Sequence, residues 1–252
     1  MLAPLDMHAH IEPGIAPSEL DRLGACVVAV TRTLAEYEQV VGRRDRSVLW
    51  APGCHPGLAR SLREFSPEAF ATLTASAAVV GEVGLDGSAR VPLSRQREVF
   101  EDVVRTLLDQ PRLASVHSYR ATAHVLEILE RHQPIGVVLH WWLGDERETR
   151  RAVALGAYFS VNASQVSHWS AIHAVPPDRL LTETDHPFGD RREHPPRRPG
   201  NVATVERALS AVLGVRVDEV RKLVWRNLRG LVDNLQVNDL LPHRFQVQLL
   251  AA

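Results

Sequence analysis

Lysine is almost missing from this chain of 252 residues: Lys222 is the only one, and arginine supplies the rest of its 29 basic side chains. Acidic residues nearly cancel them, leaving a formal net charge of -1 and a sequence pI near 6.9. That balance excludes a protein coated in positive charge for nucleic acid, so any polyanion must be met by a local patch. Cysteine is scarce as well. Cys26 and Cys54 stand in separate strand-like stretches without metal-ligand spacing, which excludes a disulfide framework and leaves two buried, reduced thiols. No apolar run approaches the ~18 residues of a membrane span, and no charged segment precedes an apolar one at the N-terminus. The expectation is a cytoplasmic protein without a membrane partner.

What is present is ordinary globular material, 45% hydrophobic and 23% charged, enough for one large α/β domain. Short apolar runs begin at Pro4, Ala25, Val48, Ala78, Arg112, Ile135, Gly156 and Arg179. Between them lie stretches of helical periodicity, such as those from Leu93, Ala121 and Asp145. Strands alternating with helices imply right-handed βαβ crossovers and a parallel sheet, and eight such units in about 250 residues make a (β/α)8 TIM-like barrel. Two more helical segments follow, from Val202 and Val217. The barrel is expected over residues 1–235, with 236–252 a C-terminal tail of weak periodicity. Low-complexity segments and short repeats are absent.

The first strand reads "LDMHAH". Alternation along a strand puts Asp6, His8 and His10 on one face, where three polar groups are costly unless something binds them. Other strands end in the same way: the fourth at Glu82, the fifth at His117, the sixth at His140 and the eighth at Asp185. Carboxyl ends of parallel barrel strands converge on one rim. Singly, each residue reads as a hydrogen-bonded histidine, a satisfied carboxylate or a helix cap. Together, imidazoles and carboxylates without soft sulfur describe a site for a divalent cation, and four histidines with two carboxylates exceed what one ion takes. Two ions with Glu82 between them would use the whole set.

The motifs "DMHAH", "GCHPG", "VGEVGLD", "VHS", "VVLHW" and "LLTETDHPF" resemble, in order and spacing, the TatD family of metal-dependent hydrolases, barrels of the amidohydrolase type. The resemblance runs from Leu5 to Leu231. It implies two divalent metal ions, Zn, Mg or Mn, held by His8, His10, Glu82, His117, His140 and Asp185, and a deoxyribonuclease of exonuclease type. Finer stretches, "GEVGLDGS", "HSYRAT", "VLHWWLGD" and "GAYFSVNAS", resemble the branch in bacterial Qat anti-phage defence operons, which adds other defence proteins as partners. The chain departs from the family's usual pattern at Gly87 and Ser88, where an aromatic residue usually follows "GLD", and around Asn201, where "NEP" is usual. A carbamylated lysine bridging the metals, as in barrel hydrolases of the phosphotriesterase type, is excluded because Lys222 lies in the final helix.

Glu82 and Asp185 are the expected catalytic carboxylates, either of which can take a proton from a metal-activated water. Arg191, Arg192, Arg197 and Arg198, in the loop after the last strand, offer bidentate donors to phosphate. Trp141 and Trp142 follow His140. Alternation puts one of them in the core and leaves the other, assigned as Trp141, to stack on a base of single-stranded DNA or a strand end. His55 and Asp6 read as residues behind the ligands. Two competing readings are a two-metal hydrolase of a small ester, amide or cyclic phosphate, and a non-catalytic metal-binding subunit of a defence complex.

Overall fold

The computed structural model describes residues 1–166 and 169–252. Eight parallel strands follow in chain order: β1 (Leu5–Ala9), β2 (Cys26–Val30), β3 (Val48–Ala51), β4 (Val79–Gly84), β5 (Leu113–His117), β6 (Val137–His140), β7 (Tyr158–Val161) and β8 (Leu180–Thr182). β2, β3, β4 and β6 are buried at every residue. That double-sided burial is why they read as unbroken apolar runs rather than alternating ones.

Regular ladders join β1 to β3 and β4 to β8, and individual hydrogen bonds close the two seams into a barrel. At one seam the Glu82 N–H donates to the Thr31 carbonyl at 3.1 Å and the Cys54 N–H donates to the Glu82 carbonyl at 2.8 Å. At the other, the Asp185 N–H donates to the His8 carbonyl at 2.8 Å. Backbone comes so close at the first seam that only glycine fits at position 53, where a Cβ would lie 2.0 Å from the Thr31 carbonyl oxygen. The expected (β/α)8 barrel is thus the fold, and both seams coincide with carboxylates of the strand-end set.

Between the strands lie α1 (Pro17–Asp21), α2 (Leu34–Glu38), α3 (Ala59–Glu64), α4 (Pro67–Thr74), α5 (Leu93–Asp109), α6 (Thr122–His132), α7 (Glu146–Ala154) and α8 (Ala163–Val166). After β8 come α9 (Ala203–Leu213), α10 (Val217–Leu235) and α11 (His243–Ala251). α5 buries Val99, Phe100, Val103, Val104 and Leu107, the three-and-four spacing of one helical face. α10 buries Val220, Val224, Trp225, Leu228, Leu231 and Val232, each worth about 1.5–3 kcal/mol for the larger side chains. It also grips the starts of two strands: Trp225 Nε1 donates to the Ala3 carbonyl at 2.7 Å, and Asn227 Nδ2 to the carbonyls of Pro177 and Leu180 at 2.8 Å. Those strands, β1 and β8, carry His8 and lead to Asp185.

Residues 236–252, whose periodicity is weak, fold against this helix. The Phe245 ring meets Trp225 edge-on at 6.0 Å, and Phe245 and Leu249 are buried. A single short helix with two buried anchors leaves little pattern for the sequence to display. Among the described residues no helix is long and apolar enough to cross a membrane.

Candidate metal centre

Glu82 lies at the centre of the barrel mouth with histidines on every side. One oxygen, Oε1, is 2.6 Å from His117 Nδ1 and 3.0 Å from His140 Nε2. The other, Oε2, faces His10 Nε2 at 3.4 Å, His55 Nε2 at 3.5 Å and His8 Nε2 at 3.9 Å. Asp185 Oδ1 closes the far side, 3.6 Å from His10 Nε2 and 3.7 Å from His8 Nε2. The His8 and His140 rings stack at 3.9 Å. All six strand-end residues named in the sequence therefore meet, because their strands deliver them to one rim.

The donor set fits divalent cations. Among the described residues three groups, His8/Glu82/His140, His8/His10/Asp185 and His55/Glu82/His117, each offer ligand atoms within 4.8 Å of one another. Buried polar atoms are almost always hydrogen-bonded, yet His8 Nε2 and Glu82 Oε2 have no hydrogen-bond partner although both are buried. Orphaned lone pairs aimed at a common point are what a cation would satisfy.

Electrostatics agree with that fit. Burial holds the His8 imidazole well below its usual value and brings His10 down to about 4 in spite of the nearby Glu82, so both rings stay neutral and able to ligate. Burial works against the Glu82 carboxylate, but His55 and His117 and the hydrogen bonds from His117 and His140 outweigh it and hold Glu82 well below the usual carboxyl range. Burial likewise opposes protonation of His140, yet Glu183 and Glu82 together push it well above its usual value. Asp185 is pushed well above the carboxyl range by burial, and by Glu183, Glu82 and Asp6. Protons on His140 and Asp185 balance charges that a cation would otherwise balance.

Supporting groups fix the rings. His8 Nδ1 lies 2.7 Å from Ser115 Oγ. Glu183, which the sequence reading did not single out, is fully buried with Oε1 3.7 Å from His140 Nδ1. It accepts hydrogen bonds from the Trp141 N–H at 3.1 Å, from Asn162 Nδ2 at 3.0 Å and from Ser160 Oγ. Its signal was present: Glu183 precedes Asp185 by two, the same alternation that links His8 to His10. Asp86, also passed over, places Oδ2 3.6 Å from His117 Nε2. Asp6 stands below the cluster as a staple. It accepts from the Thr184 N–H and hydroxyl and from the Gly200 N–H at 2.7–2.8 Å, and burial pushes its carboxyl up to about 7.

His55 stands closer to the centre than a residue behind the ligands. Its Nδ1 accepts the Gly57 N–H at 2.9 Å, which puts the proton of the neutral ring on Nε2, the atom that faces Glu82. A cavity of about 390 Å³ opens above the cluster, and His55, Asp86, Tyr119, Trp141, Leu143 and Phe188 are among its walls. Trp142 is fully buried, with Nε1 donating to Thr149 Oγ1 at 3.0 Å. None of Arg191, Arg192, Arg197 and Arg198 lines this cavity. Arg197 is held by Asp190, donating from Nη2 to Oδ1 at 2.9 Å, and His186 turns from Asp185 to the same carboxylate, 2.6 Å away.

A family model described as TatD related DNase matches residues 5–233. Over 245 residues the chain is 30% identical to the uncharacterized metal-dependent hydrolase YcfH of Escherichia coli strain K12, covering 89% of each protein. A Cronobacter sakazakii protein named 3′-5′ ssDNA/RNA exonuclease TatD is 29% identical over 166 residues, covering 62% of this chain and 63% of that one. The crystal structure of YJJV, a TatD homologue from Escherichia coli, shares the fold with a TM-score of 0.76 at 21% identity, covering 90% of this chain and 97% of that one. The matched segment spans every side chain of the cluster from His8 to Asp185, and the chain belongs to the TatD family of metal-dependent hydrolases, enzymes that act on phosphodiester bonds.

Proposed function

We propose that the protein is a two-metal deoxyribonuclease that shortens single-stranded DNA from an end. The observation that carries this reading is the split environment of Glu82, one oxygen turned to His117 and His140 and the other to His8, His10 and His55. A carboxylate so placed serves two ligand sets at once, with Asp185 completing the set around His8 and His10. When bound, divalent ions supply Lewis-acid stabilisation of the phosphoryl oxygens and lower the pKa of water. The chain's own part is to hold Glu82 ionised, to keep His8 and His10 neutral and to offer the Asp185 carboxylate as the proton acceptor beside His8 and His10. Similarity to a protein named as a 3′-5′ ssDNA/RNA exonuclease supports a strand end as substrate.

Arg191, Arg192 and Arg198, exposed in the loop after β8, are proposed to track the strand beyond the cavity, with Zn, Mg or Mn as the metal. The resemblance of "HSYRAT" and "VLHWWLGD" to the Qat branch supports a cytoplasmic role in anti-phage defence beside other proteins of such an operon.

The test is cleavage of 5′- and 3′-labelled single-stranded DNA with Mg, Mn or Zn, beside a His8→Ala/His10→Ala variant. The reading expects wild type to shorten one labelled end and the variant to leave both intact. Hydrolysis of a small ester panel with no cut in DNA would overturn it. Restriction of phage plaques by the intact operon, lost with Glu82→Ala, tests the defence role.

A further inference from the structure

The mouth of the site is apolar where its floor is charged. Tyr119, Leu143 and Phe188 line the same cavity as the histidines, with 42, 47 and 45% of their surfaces exposed. Trp141 completes this wall. The four come from three different loops, after β5, β6 and β8. Large apolar side chains gathered in water at one cavity mouth mark a surface that a ligand covers.

The backbone holds them there. Trp141 takes φ 39°, a conformation that bulky residues rarely adopt, with its N–H on Glu183. The segment carrying Tyr119 lies against the end of β4 because Gly87 has no side chain: a Cβ there would fall 2.1 Å from the Arg120 carbonyl oxygen, and the Gly87 N–H donates to the Tyr119 carbonyl at 2.8 Å. The Arg120 guanidinium lies over the Tyr119 ring, 5.4 Å from its centroid. Phe188 meets the His10 ring edge-on at 5.6 Å, so a group held on the cluster has its next substituent beside this ring. No arginine or lysine is among the cavity's lining residues. The charge of a bound phosphate is then met on the floor, and further grip must come from something flat and uncharged.

We propose that Tyr119, Trp141, Leu143 and Phe188 form a stacking subsite for one unpaired nucleobase, that of the nucleotide whose phosphodiester is cut. The proposal rests on the nuclease reading and adds how the substrate is chosen. A base within a duplex has its faces covered by neighbours and must leave the stack to enter such a pocket, whereas a single-stranded terminal base is already free. Every base has a π-face, so the subsite tolerates sequence. A volume of about 390 Å³ is at the small end of ligand pockets, suited to one nucleotide rather than to several. A small ester or amide without a ring would leave these four side chains wet.

The experiment compares two single-stranded oligonucleotides that differ only in whether their terminal residues carry bases or are abasic, with wild type, Phe188→Ala, Tyr119→Ala and Phe188→Trp. A third oligonucleotide with terminal 2-aminopurine reports stacking on binding as fluorescence quenching, without need of cleavage. Removing the terminal bases should lower wild-type kcat/KM on the order of 10-fold, the usual loss of one base stack. Each alanine variant should lose a similar factor on the intact strand and nothing further on the abasic one, with Phe188→Trp restoring discrimination. Equal cleavage of both strands by wild type, or alanine losses of the same size on both, would overturn the subsite. If wild type cuts no DNA yet quenches 2-aminopurine in a Phe188-dependent way, the nuclease reading fails and the subsite stands. Absence of quenching overturns the subsite even where DNA is cut.

Discussion

The floor and the rim of the cavity are built on opposite principles. On the floor, six side chains from five strand ends are polar and paired mainly with one another, His8, Glu82, His140 and Asp185 among them buried, and orphaned lone pairs remain on His8 and Glu82. The rim is apolar, exposed and carried by loops. Rigid strands give the floor positions fixed to the spacing of the barrel, as metal ligation demands. Loops at unusual backbone angles, such as Trp141 at φ 39°, give the rim a shape that can differ without disturbing the floor. Chemistry and substrate choice are thereby separable in this molecule, and substitutions should show two distinct signatures.

The largest effect should follow Glu82→Ala, which removes the carboxylate both ligand sets share. Hydrolysis should fall by ~10³-fold or more, as when one member of a group acting as a unit is lost, with bound metal reduced by elemental analysis. Full activity in this variant would break the assignment of the floor. Glu183→Gln keeps shape but weakens the hold on His140, so metal affinity or rate should drop roughly 10- to 100-fold, measured by metal titration, and KM for DNA should move little. Rim variants should do the reverse. Phe188→Ala should lose about 10-fold in kcat/KM, chiefly through KM, with metal content unchanged. A rim variant that lost metal would erase the distinction.

Proton uptake sharpens the same contrast. Against burial, neighbouring carboxylates push His117 and His140 above their ordinary value, while burial, with neighbouring carboxylates, pushes Asp185 above the carboxyl range. These shifts favour the protonated forms in the metal-free cluster, and any proton so held must be released for the group to ligate. Metal affinity should therefore fall as pH is lowered, and calorimetry in buffers of different ionisation heat should show net proton release. The smallest effect belongs to the outer arginines. Arg191→Ala should weaken binding of all sequences alike and lower the salt slope by about 1.

Most of the floor was legible because its residues obey the period of a strand. His8 and His10 share a face by alternation, and each other ligand follows an apolar run that reads as a buried strand. Glu183 obeys the same period as Asp185, so the alternation in "TETD" carries its signal too. His55 reads from the sequence as a residue behind the ligands. What brings its Nε2 to Glu82 is the close approach of β3 to β4 at Gly53, a tertiary contact. In the arginine loop the tertiary structure divides what the sequence presents as one patch: Arg197 is taken up by Asp190, and none of the four lines the cavity.

By itself, the sequence determined the barrel, the order of its units and which polar side chains converge at the strand ends. Those follow from local periodicity and from the rule that parallel strands bring their carboxyl ends to one rim. Tertiary structure alone decided how far apart the ligands stand, which oxygen of Glu82 faces which histidines, and that Tyr119, Trp141, Leu143 and Phe188 share one wall. Those side chains come from three separate loops, and no period along the chain records which loops meet in space.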